Sequence, residues 1–163
     1  MVCDLKDLYL KQKELDLEIA QNHHINYEVT RNKRILALLV ELGEFANTTR
    51  TFKFWSNKTM EAKEVVLDEF ADGLHFLLSL GVDKGYILDT LEVEDNDLSL
   101  TDNLLSTYSL VSKYQDEQTL DNYIKMFSSY LRALFKVNFS WADAKNAYYI
   151  KLSENHHRQE TNY

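Results

Sequence analysis

Four carboxylates fall into two helix-spaced pairs, Glu41-x-x-Glu44 and Glu69-x-x-Asp72, and each pair lies inside a strongly apolar stretch. Two negative charges one helical turn apart repel each other, and partial burial multiplies the cost unless a cation compensates. Neither Leu36–Ala46 nor Val65–Leu80 contains a Lys or Arg that could do so. The chemistry to expect is a bound divalent cation, and with it phosphate chemistry. Mg²⁺, or Mn²⁺ in its place, suits an oxygen-only set of donors. Spacing alone is weak evidence, because Asp4/Asp7, Glu61/Glu64, Asp89/Glu92, Glu92/Asp95 and Glu94/Asp97 share it. Those pairs lie at a chain end, in a helix's first turn or in an acidic loop, where negative charge has an ordinary explanation. For 41/44 and 69/72, metal ligands and acidic residues on a solvated shoulder of a bundle stand as equal alternatives.

Such pairs must be held by helices, and the chain reads as all-α. Proline is absent, glycine occurs four times, and apolar residues recur at spacings of three and four. A first amphipathic helix covers Leu5–Ala20 and ends at His23, His24 and Asn26; a second covers about Val29–Thr49. The aromatic, basic stretch Arg50–Lys58 reads as a loop, and Thr59 as the N-cap of a third helix that stops at Gly81. Tyr86–Leu91 reads as a turn or short helix and Glu92–Asp97 as a solvated acidic connection. Helices follow over about Thr101–Tyr114 and Leu120–Lys136, and Ser140-x-x-Asp143 resembles a capping box opening a last helix to about Asn155. About six helices therefore form one bundle, residues 1–163 making a single domain. Antiparallel second and third helices would bring the two acidic pairs to roughly 8–10 Å between axes. Gly43 and Gly73, each beside a candidate ligand, would allow close helix approach or serve core packing.

Composition narrows the partners. With 26 acidic against 18 basic side chains, the net charge of −8 disfavours general attraction to nucleic acid or anionic lipid. The longest apolar run, Ile35–Val40, is far too short to span a bilayer, and a lone cysteine, Cys3, can form no internal disulfide. A cytoplasmic protein without nucleic-acid or membrane partners is the expectation.

Three segments together carry a more specific signal. Glu41-Leu-Gly-Glu44, then Phe52-Lys-Phe-Trp55, then Asp68-Glu69-Phe-Ala-Asp72-Gly-Leu-His75-Phe resemble the dimeric, all-α dUTP pyrophosphatases, which belong with the MazG-like nucleotide pyrophosphatases. The C-terminal Lys151-x-x-x-Asn155-x-x-Arg158-x-x-x-x-Tyr163 is similar to that family's phosphate-binding tail. The resemblance implies an intertwined homodimer that hydrolyses dUTP, and dUDP, to dUMP with Mg²⁺. It implies Glu41, Glu44, Glu69 and Asp72 as metal ligands, with Glu41 and Glu44 catalytic and Glu41 also activating the attacking water. Lys151, Arg158 and Tyr163 would meet the phosphates and Asn155 the nucleotide. Gln12 would read uracil through its amide, Trp55 would cover the base, and His75 would line the pocket. One departure is Asp16, near which the family often has Asn.

Taken singly, each residue has a plainer role. Trp55 would be a packed or interface aromatic, Gln12 a solvated helix residue, and His75 a core histidine or a surface partner of Asp72. Lys151 and Arg158 would compensate a helix dipole. Two other functions therefore stay open: a MazG-like enzyme for dCTP or another non-standard nucleotide, and a non-catalytic dimer whose acidic face meets a regulatory protein partner.

Overall fold

The computed structural model describes residues 1–161. Among these, six helices follow one another: α1 (Lys6–His23), α2 (Tyr27–Thr49), α3 (Lys63–Lys84), α4 (Leu100–Asp116), α5 (Leu120–Val137) and α6 (Trp141–Glu160). None is long and apolar enough to cross a membrane. Strand β1 (Val2–Asp4) pairs antiparallel with β2 (Thr90–Glu92), Cys3 opposite Leu91, so that both side chains point inward. Tyr86–Leu91, expected to turn or coil into a helix, therefore ends in a strand. Three residues alternating between buried and exposed are too few to show a period of two in the sequence.

Helix α3 is the centre of the bundle and packs against α1, α2 and α6. It buries twelve residues around almost its whole circumference, from Val66 to Gly81. Its antiparallel run against α2 follows from the contacts: Arg31 and Arg34 meet Asp83 near the end of α3, while Phe45 meets Phe70 near its start. Arg34 also donates to the carbonyls of Ser79 and Tyr27. Burial opposes charge on Asp83, but the bonds from the two arginines hold its carboxyl below the usual range.

Both predicted ends of α3 move. Ala62, not Thr59, is its N-cap, because Glu61 is already engaged: its N–H donates to Thr48 O at 3.0 Å and its carboxylate pairs with Arg50. Gly81 lies inside the helix, which stops at Gly85 with φ 72°. The three helical glycines all face tyrosine hydroxyls. A Cβ on Gly73 would stand 2.1 Å from Tyr130 Oη, one on Gly81 2.3 Å from Tyr123 Oη, and one on Gly43 3.1 Å from Tyr108 Oη. Tyr130 donates to Phe70 O and Tyr123 to Leu77 O, so two hydroxyls of α5 are tied to the backbone of α3. Helix α6 opens on the Ser140/Asp143 capping box and continues past the expected Asn155 to Glu160, which puts Lys151, Asn155 and Arg158 on one rigid helix.

Candidate active site

Helices α2 and α3 carry the acidic groups to one place. Carboxylate oxygens of Glu41, Glu69 and Asp72 lie within 4.8 Å of one another, and Glu44 borders Glu41. Glu41 Oε2 is buried with no hydrogen-bond partner. Burial first, then the charges of Asp72, Glu44 and Glu69, pushes the Glu41 carboxyl up to about 7. Glu69 and Asp72 are also raised, in both cases chiefly by burial. An orphaned buried oxygen amid mutually repelling carboxylates is what an oxygen-preferring divalent cation would relieve, so this donor set fits one.

A counter-ion absent from the stretches 36–46 and 65–80 arrives from α6. Lys151, only 4% exposed, donates from Nζ to Asp68 Oδ1 at 2.8 Å and to Asp72 Oδ2 at 2.9 Å. Thus Asp72 does have a basic partner, and Lys151 does not line the adjoining cavity.

That cavity, of about 710 Å³, lies among α1, α2, α3 and α6. Glu41 and Asp72 border one part of it; Gln12, Asp16, His75, Phe76 and Ser79 line another, and Asn155 and Arg158 contribute from α6. On the α1 side the polar groups satisfy one another. Gln12 Nε2 donates to Asp16 Oδ1 at 2.9 Å, and Tyr27 donates to Asp16 Oδ2 at 3.0 Å. The amide nitrogen of Gln12 faces Asp16, and its oxygen, which can only accept, faces His75 Nδ1 at 2.7 Å. His75 therefore carries its proton on Nδ1. Tyr148 stacks on the imidazole with ring centroids 4.2 Å apart, its hydroxyl 3.2 Å from Gln12 Oε1. Burial pushes His75 down to about 3, so the ring is neutral at physiological pH, and its Nε2 is buried without a partner. Asp16 is raised by burial, against the hydrogen bonds it accepts.

Of the expected site residues, the structure gathers Gln12, Glu41, Asp72, His75, Asn155 and Arg158 around the cavity, with Glu44 and Glu69 beside Glu41. Arg158 bonds Glu154 and approaches Asn155 Oδ1 at 3.4 Å. Trp55 stands apart: it is 66% exposed and touches Phe52 and Phe54 on the loop after α2. Tyr163 lies outside the described residues. Sequence reasoning missed Tyr27, Arg34, Phe76 and Ser79 as lining residues, and left Asp16 without a role. The i, i+4 spacing of Gln12 and Asp16 was the one local signal available.

An all-α bundle that sets a carboxylate cluster at the edge of a cavity defines a class of protein: a helical bundle with donors for a divalent cation beside a small-molecule pocket. The chain is a member of the dUTPase family, whose sequence model matches residues 4–163. It is accordingly a dUTP diphosphatase, and the family implies a divalent metal. No individual curated protein matches the chain.

Proposed function

We propose that the protein hydrolyses dUTP to dUMP and pyrophosphate, and dUDP to dUMP and phosphate, with Mg²⁺ as its cofactor and Mn²⁺ as a substitute. The observation that carries this reading is the unpartnered Glu41 Oε2 among Glu44, Glu69 and Asp72, at the edge of a cavity whose other wall is hydrogen-bonded. Glu41, Glu69 and Asp72, with Glu44 beside them, would hold the divalent cation, which would supply charge compensation for the polyphosphate and the attacking water.

The side chains supply the rest. Glu41 takes the proton of the attacking water on its carboxylate, whose Oε2 has no other partner. Arg158 and Asn155, fixed on α6, orient the phosphates and the sugar from the cavity wall. Gln12 has one amide N–H left after its bond to Asp16 and offers it to a carbonyl of uracil, while neutral His75 lines the same pocket without bringing a charge near the base.

A homodimer completes the reading, supported by apolar surface that the single chain leaves open: Leu36 and Val40 on α2, and Phe54 and Trp55 on the loop that follows it. Trp55 would then act at such an interface or over the base of a bound nucleotide. The test measures pyrophosphate release from dUTP and phosphate release from dUDP, beside dCTP, dTTP and dATP, with Mg²⁺, with Mn²⁺ and with a chelator. Turnover of dUTP and dUDP that needs either cation is expected; turnover undiminished by chelation would overturn the metal assignment. Faster release from dCTP would move the substrate assignment to that nucleotide.

A further inference from the structure

Lys151 has the environment of a built component and not of a ligand contact. It is almost fully buried on α6, yet the cavity does not reach it. Its Nζ lies 2.8 Å from Asp68, 2.9 Å from Asp72 and 3.9 Å from Glu154. We infer that Lys151, anchored by Asp68, is a positioning residue: it holds Asp72 in the orientation that joins Glu41 and Glu69, and acts through that carboxylate without touching the nucleotide.

The inference rests on the reading that these carboxylates hold the divalent cation. Outer groups that grip a ligating carboxylate restrict its rotation, and their loss commonly weakens metal binding about 10–100-fold. A lysine beside a metal ligand has an opposite effect as well, since one positive charge reduces the attraction for a cation. Asp68 resolves that conflict. It lies on the same ammonium, its side chain half exposed to solvent, and supplies the compensating negative charge. The Lys151/Asp68 pair is neutral as a unit, so Asp72 gains orientation while the cluster keeps its pull. A direct phosphate contact would instead require Lys151 to leave two short ion pairs and a buried position.

Calorimetric titration of nucleotide-free protein with Mn²⁺ tests this, using wild type, Lys151→Met, Lys151→Arg and Asp68→Asn. Lys151→Met is expected to weaken Mn²⁺ binding about tenfold or more, with part of the affinity restored in Lys151→Arg. Asp68→Asn, at a half-exposed position, is expected to weaken it severalfold without disturbing the helical circular-dichroism spectrum. At saturating Mn²⁺, both variants should keep KM for dUTP within about twofold of wild type. Mn²⁺ affinity within twofold of wild type in both variants, with KM for dUTP raised in Lys151→Met, would overturn the positioning role. Should Lys151→Met fail to fold, Asp68→Asn decides alone on its Mn²⁺ affinity. A wild type that binds no Mn²⁺ would remove the metal reading itself, an outcome distinct from unchanged affinity in the variants.

Discussion

The two walls of the cavity are built on opposite principles. At the acidic wall, Glu41, Glu69 and Asp72 repel one another, and a buried oxygen of Glu41 has nothing to bond. At the α1 wall, Gln12, Asp16, Tyr27, Tyr148 and the Nδ1 of His75 form a chain in which donors meet acceptors, while His75 Nε2 has no partner. The first wall has charge left for a cationic guest to relieve, whereas the second is largely hydrogen-bonded before any guest arrives. A reaction centre that must gather charge and a recognition surface that must not deform thus call for different local energetics, and one helix, α3, contributes to both through Asp72 and His75.

Substitutions should separate the two walls sharply. Glu41→Gln is expected to lower dUTP turnover by at least about a hundredfold, the range general-base removal produces. The same change should raise the unfolding temperature of the metal-free protein, because it deletes repulsion; a melting point that falls would contradict a strained acidic wall. Gln12→Leu should do the reverse. It leaves Asp16 and the Nδ1–H of His75 without their partner, at a cost of about 1–3 kcal/mol in denaturant unfolding, and turnover should lose preference for dUTP over dCTP. Unchanged stability would mean that the hydrogen-bonded chain is not what rigidifies that wall.

The smallest effect is a pair of opposed pH dependences. Burial and neighbouring charges raise Glu41 to about 7 from a reference of 4.5. Its contribution to stability is fully present below the unfolded value and is lost as pH rises through 7. Burial lowers His75 to about 3 from 6.5, so its contribution is present above the unfolded value and is lost as pH falls. Metal-free protein should therefore be most stable between the two, in mildly acidic solution. Thermal melts across pH should show Glu41→Gln flattening the alkaline side and His75→Asn the acid side; parallel shifts of the whole curve would refute the assignment.

Much of the acidic wall was legible in the sequence, because its two pairs are local and their helices are strongly periodic. The α2 span, the capping box of α6 and the four carboxylates needed only spacing and burial arguments. What could not be read was tertiary. Lys151 answers Asp72 from about eighty positions away, so the pair that seemed to lack a cation has one. Gly81 carries the sequence mark of a helix stop, yet its missing side chain makes room for Tyr123 and Tyr9 while the helix runs on to Gly85. Tyr27 and Arg34 sit in a helix whose charges look solvated until Asp16 and Asp83 are brought against them.

The tyrosines seated on Gly73 and Gly81 also bear on how the site can move. They engage α3 at two notches eight residues apart, from positions seven apart on α5, and each hydroxyl is tied to a backbone carbonyl of α3. Two such keys fix both the rotation and the axial setting of the shaft, since sliding by one turn would drive a phenol ring into a side chain at each notch. The helix that carries Glu69 and Asp72 is therefore the stator of this molecule. Any closing stroke over a nucleotide falls to a part outside that lock, the aromatic loop ahead of α3, since α1 is joined to the same keys through Tyr9 and α6 to α3 through Lys151.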